Sequence, residues 1–185
     1  MTATKRLSLA DRLDALGACE DAIDWVADEG HRSLAAAWAA CPRGDWMLWL
    51  AARLAGKPGS VAGRRAIRAG AACVRSTLSR FRIREERDAV AAALAETERW
   101  LDGGPAPTED ALDWCGASAI GAIRFARGFA RARETSMMSA CAIDLLLVAI
   151  DDADAFERAE ARLNRIHADA VRAVIPRSPA WGAAR

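Results

Sequence analysis

Apolar side chains recur along this chain at spacings of three and four residues, and nowhere do they alternate at period two for the length of a strand. An α-helix brings residues three and four apart onto one face, whereas a strand brings every second residue onto one face. The periodic segments are punctuated by Gly17, Gly30, the Pro42-Arg43-Gly44 corner, the Gly56–Gly59 turn and the "DGGPAP" stretch at 102–107. Helix-start signals precede several of them: Ser8 with Asp11 three residues later, then Ser33, Asp45, Ser60 and Thr108. The expected helices cover about 9–16, 19–29, 34–40, 46–55, 60–80, 84–101, 108–133, 137–150 and 154–175. Short connections between so many helices specify an all-α single domain, 1–185, a bundle of eight to nine helices packed as antiparallel pairs. A subdivision is expected near 102–107, and a frayed tail from 177.

Composition agrees. Alanine is abundant, Tyr is absent and only six prolines occur, a balance that favours helix over strand. Of the 26 basic residues 24 are arginine, a bias that base composition alone can generate, so no function is read into it. The net charge of +1 argues against a dedicated nucleic-acid scaffold. Cysteines 19, 41, 73, 115 and 141 are odd in number and widely spaced, which fits neither a zinc ribbon nor a redox pair. The N-terminus has no apolar stretch before Asp11, and the most apolar run, Met137–Ile150, is too short to span a bilayer and holds Asp144. A cytoplasmic protein without cofactor or metal is expected.

Three of the seven tryptophans fall within "WAACPRGDWMLWL", residues 38–50. Trp46 and Trp49 lie on adjacent turns of one helix, and Pro42 holds Cys41 extended. The corner is expected to be a packed hub, with Asp45 as helix cap and Arg43 paired with an acid or a carbonyl. Arg43 and Trp46 are its best candidates for an exposed anchor. An adhesion reading of Arg43-Gly44-Asp45 requires a flexible extracellular loop and is set aside.

Together, "ALGACEDAIDWVADEG" and "SLAAAWAACPRGDWMLWLAARL" resemble the opening signature of the immunity-protein family of bacterial polymorphic-toxin loci. The resemblance rests on Cys19 and Trp25 in one helix, then W-x-x-C-x-R-G-D-W-x-x-W-L from Trp38 to Leu50. It is specific over about 13–54 and looser beyond, ending on "DAVRAVIP" at Asp169–Pro176 with one extra alanine before the valine. What it implies is a small helical protein that binds and neutralises a cognate toxin without catalysis. It supplies no toxin-contact residues.

The charge pattern offers the candidate partner surfaces. Asp21, Asp24 and Asp28 share one side of a helix, a docking surface suited to a basic nuclease toxin. Residues 53–84 hold nine basic residues and no acid, with Arg64, Arg68 and Arg75 pointing the same way. The plain reading of that run is that it pairs with acidic helices within the fold or faces water. The alternative function, a nucleic-acid-associated regulatory or phage accessory protein, would use the cluster from Arg64 to Arg84. A second basic cluster, Arg124 to Arg133, interleaves Phe125 and Phe129.

Little points to an enzyme. Phosphate loops, nucleophile elbows and the H-E-x-x-H motif are all missing. His31 reads as a surface histidine in a turn, and His167, close to the Phe156, Leu163 and Val174 stripe of the last helix, as a packed or edge histidine rather than a ligand. Asp144 requires a partner if buried, with Arg127 and Arg131 as candidates.

Overall fold

Serine caps and glycine stops divide the chain into helices as local chemistry dictates. The computed structural model describes residues 7–56, 60–105, 132–147, 150 and 152–180; within 132–147 it describes the side chains of 138–143, 146 and 147. Among these residues every regular element is helical: α1 Leu9–Leu16, α2 Glu20–Asp28, α3 Leu34–Ala40, α4 Gly44–Ala55, α5 Val61–Thr77, α6 Arg84–Leu101, α7 Ala132–Leu147 and α8 Ala153–Val174. A single 3₁₀ turn, Leu78–Arg80, follows α5. The fold is all-α. The expected helix at 108–133 falls outside the described residues up to 131, as do the candidate partners Arg127 and Arg131 and the Asp144 side chain; α7 begins at Ala132 and ends at Leu147, where a helix over 137–150 is expected.

The chain divides after Cys41 into two compact units. In the first, α1 packs on α2. Ser8 and Asp11 form a reciprocal capping box, the Asp11 amide donating to Ser8 Oγ at 3.0 Å and the Ser8 amide to Asp11 Oδ2 at 2.9 Å. Gly17 ends α1 at φ 81°, a left-handed conformation that glycine adopts without strain. Leu9, Leu13, Val26, Leu34, Ala37, Trp38 and Cys41 are buried. Cys19, expected within the helix over 19–29, precedes α2 as its N-cap and is exposed.

The second unit is built around α5 and α8. Cys73 and Thr77 of α5 meet His167, while Arg65, two to three turns earlier, reaches the Val174 carbonyl at 3.0 Å, so the two helices run antiparallel. Ser139 of α7 meets His167 and Leu147 packs with Leu163, which sets α7 antiparallel to α8 as well. α4 packs against α5, α7 and α8, and α6 lies along α5. Small residues on the inner face of α5, among them Gly63, Ala66, Ala69 and Gly70, allow this close packing. At Gly70 an added Cβ would sit 2.7 Å from Met138 Sδ. The core between α5, α6 and α7 comprises Ala71, Val74, Phe81, Val90, Ala93, Leu94, Met138, Cys141 and Ala142.

α4 corrects the expected order of the tryptophan corner. Asp45 does not cap the helix; α4 begins two residues earlier than expected, at Gly44, with Arg43 as N-cap. The Asp45 carboxylate is drawn to the Arg43 guanidinium, which donates to it twice, at 3.0 and 2.9 Å. Nor are the corner's two later tryptophans a hub. Met47, Leu48, Leu50, Ala51, Ala52 and Leu54 fill the interior, leaving Trp46 and Trp49 half-buried.

Candidate functional site

Three charged surfaces and one buried polar cluster can carry chemistry or recognition. On α2, Asp21, Asp24 and Asp28 are all exposed, and no ion pair among the described residues engages them. Leu7–Cys41 holds seven carboxylates against Arg12 and Arg32. The helix carries acids in its first turn and no base in its last, so nothing within it neutralises the face.

At the start of α4, the Arg43 guanidinium lies 5.0 Å from the centre of the Trp46 ring, a cation–π distance, while paired with Asp45. Glu160 of α8 stands 3.9 Å from the same guanidinium. Arg43 is thus held by a carboxylate in front and an aromatic face beside it, with about a third of its side chain still in solvent. As expected it pairs with an acid, and it fixes Trp46 in a half-open position.

The basic run of α5 is largely spent inside the fold. Arg75 donates to Glu98 at 2.6 and 3.0 Å, Arg68 to Asp102 at 3.0 Å, and Arg64 stacks over Trp100 at 5.2 Å. These three arginines face α6 for the reason their shared direction suggested: they lie on one side of α5, and α6 supplies the acids and the indole. Arg65 is held by the Val174 carbonyl and Arg84 lies 3.5 Å from Asp88.

The buried cluster centres on His167, which is fully enclosed together with Thr77 and Ser139. Its Nε2 lies 3.2 Å from Thr77 Oγ1 and its Nδ1 lies 2.7 Å from Ser139 Oγ. The Thr77 hydroxyl donates its one proton within α5, to the Val74 carbonyl at 3.2 Å, and is left to accept from the ring. Nε2 therefore carries the hydrogen and Nδ1 accepts from Ser139. Burial pushes the imidazole pKa down to about 4, with the negative charge of Asp45 acting weakly in the other direction. Behind the ring, the Cys73 thiol donates to the His167 carbonyl at 3.4 Å, and burial, then Asp45, push that thiol far above its ordinary range.

Gly44 completes the arrangement. A Cβ there would lie 2.6 Å from His167 Cβ and 2.9 Å from the His167 carbonyl carbon. The glycine of the Arg43-Gly44-Asp45 corner is therefore a packing residue that lets α4 cross directly over His167, while its two charged neighbours pair above it. One helix turn on, Arg172 reaches Met47 Sδ at 3.8 Å and Asp169 at 2.8 Å. The opening and closing sequence signatures thus meet along α4 and α8.

A hydroxyl 2.7 Å from an imidazole is the pairing that nucleophilic catalysis uses. Here the far nitrogen goes to a threonine rather than to a carboxylate, and a carbonyl substrate reaches Ser139 only if α7 parts from α8. His167 was legible as a packed histidine; its partners were not. The available signal was the rule that a buried imidazole needs two polar neighbours, which Thr77 and Ser139, polar exceptions on apolar faces, supply. His31 departs from expectation: its ring lies tilted against Trp25 at 4.9 Å between ring centres, and its buried Nε2 has no hydrogen-bond partner among the described residues. Backbone closure explains this, since the His31 amide returns to the Val26 carbonyl and folds the ring against α2.

Among the described residues no group of three or more His, Cys, Asp or Glu side chains could hold a metal ion, and no helix is long and apolar enough to cross a membrane. Comparison with family models, curated proteins and solved structures finds no match to this chain.

Proposed function

We propose that this protein is an immunity protein, which binds a cognate bacterial toxin in the cytoplasm and blocks it without catalysis. The observation that carries the reading is the uncompensated acidic face of α2. Asp21, Asp24 and Asp28 stand exposed and without an ion pair among the described residues, while Arg64, Arg68 and Arg75 of the basic run are engaged by Trp100, Asp102 and Glu98. A surface of one sign with no ion-pair partner among the described residues is suited to steer an oppositely charged protein, and a basic nuclease toxin is the fitting class. Arg43 and Trp46 supply further anchor chemistry, an aromatic ring braced by a guanidinium. The sequence resemblance over 13–54 supports the same assignment.

The nucleic-acid reading loses ground because Arg64, Arg68 and Arg75 already have partners on α6, and phosphate contacts would have to displace them. The test is co-expression and co-purification with the product of the adjacent reading frame, followed by association kinetics of the pair. Asp21→Lys, Asp24→Lys and Asp28→Lys together are expected to slow association at least tenfold at low salt and to leave the fold unchanged. An unaltered on-rate would remove the acidic face from the account.

A further inference from the structure

We propose that His167 is an acid-released latch: protonation of its enclosed ring opens the packing of α4, α5, α7 and α8 that the neutral ring holds closed. This inference is independent of the toxin-binding reading.

The geometry gives the reason. Four helices key on this one residue. Thr77 of α5 and Ser139 of α7 occupy its two nitrogens, Gly44 of α4 presses on its Cβ, and α8 carries it. Both hydrogen-bond partners are neutral hydroxyls, which satisfy the uncharged ring but supply no counter-charge to an imidazolium. Burying a charge without a counter-charge is the costly case. Among the described residues, the titratable groups facing this residue are Asp45 from α4 and Cys73 from α5. Asp45 is already neutralised by the two bonds from Arg43, and Cys73 is held as a thiol by its burial. On α7 the ring meets Ser139, a residue without charge; the side chains of Arg133, Glu134 and Asp144 on that helix are outside the described residues.

The direction with pH follows. An unfolded histidine takes up its proton as the pH falls through 6.5, whereas the enclosed ring resists until about 4. Between those values the unfolded state binds more protons, so stability is complete above 6.5 and is lost progressively down to about 4. The folding equilibrium contributed by this residue weakens by on the order of a hundredfold across that window.

The experiment is urea unfolding of the full chain at pH 7.5, 6, 5 and 4, wild type beside His167→Gln, which keeps a donor and an acceptor but does not titrate. The wild type is expected to lose on the order of a hundredfold in folding equilibrium relative to the variant between the extremes. A wild-type-to-variant ratio that does not change with pH overturns the proposal; so does a carboxylate on α7 that compensates the charge, which gives the same constant ratio. Should the variant fail to fold, ring ¹⁵N and ¹³C shifts of the wild type decide the matter, since the chain has two histidines to assign. The latch requires the neutral Nε2–H signature of His167 to persist to about pH 5 in folded protein. Titration near its ordinary value with the fold intact refutes it.

Discussion

Replacing Gly44 by alanine sets two effects of opposite sign against each other, and the geometry decides between them. Alanine is a better helix former than glycine by about 1 kcal/mol in a helix interior, and by less at a first helical position. On that ground alone the substitution is neutral or mildly stabilising. The new methyl, however, would lie 2.6 Å from His167 Cβ and 3.0 Å from the Ala168 amide nitrogen. Ordinary carbon–carbon contact is about 3.5–4.0 Å, so α4 must retreat from α8 by roughly 1 Å. The obstructing atoms are backbone and Cβ, which no rotamer change can move aside. Overpacking of this kind costs about 1–3 kcal/mol, and the retreat also strains the Thr77–His167–Ser139 chain. The expected net loss is about 2 kcal/mol, read as a lower urea midpoint at unchanged slope. Gly44→Ala with wild-type or greater stability would refute the close crossing of α4 over His167 and the role assigned to the corner glycine.

Removing the hydroxyl of Ser139 by alanine leaves Nδ1 of His167 without its donor in a closed site, at an expected cost of about 1–3 kcal/mol in urea unfolding. Thr77→Val, which preserves shape and leaves Nε2–H unpartnered, is expected to cost a similar amount; neutral outcomes at both positions would contradict the assigned hydrogen bonds. A double-mutant cycle on Arg75 and Glu98, both about half exposed, is expected to give a coupling below about 1 kcal/mol that shrinks with added salt.

Helix boundaries were readable wherever the signal was local. Ser8, Ser33 and Ser60 each accept from an amide three residues on, and α6 begins and ends where its periodicity does. Asp152, which caps α8 by accepting from the Ala155 amide, carries the same signal, but an acid-rich stretch disguises which acid is the cap. Asp45 was misread for the complementary reason: its position mimics a cap, and only the competing guanidinium of Arg43 shows otherwise. α4 is apolar on nearly every side, so periodicity could not say which face turns inward, and the half-open tryptophans followed. The buried cluster is a matter of distance along the chain. Thr77 is 90 residues from His167, and Ser139 is 28 away. The plain reading of the basic run needed only composition and face, and the ion pairs between α5 and α6 agree with it.

The proposed function has the protein occupy a partner rather than turn over a substrate. It is tested most directly by titrating purified protein against a fixed amount of the adjacent reading frame's product, the proposed toxin, and following residual activity of that product. Occupancy predicts that inhibition ends at a fixed whole-number ratio near one to one and survives Ser139→Ala in a folded variant. Complete neutralisation at a small fraction of that ratio, abolished by the same substitution, would contradict the account.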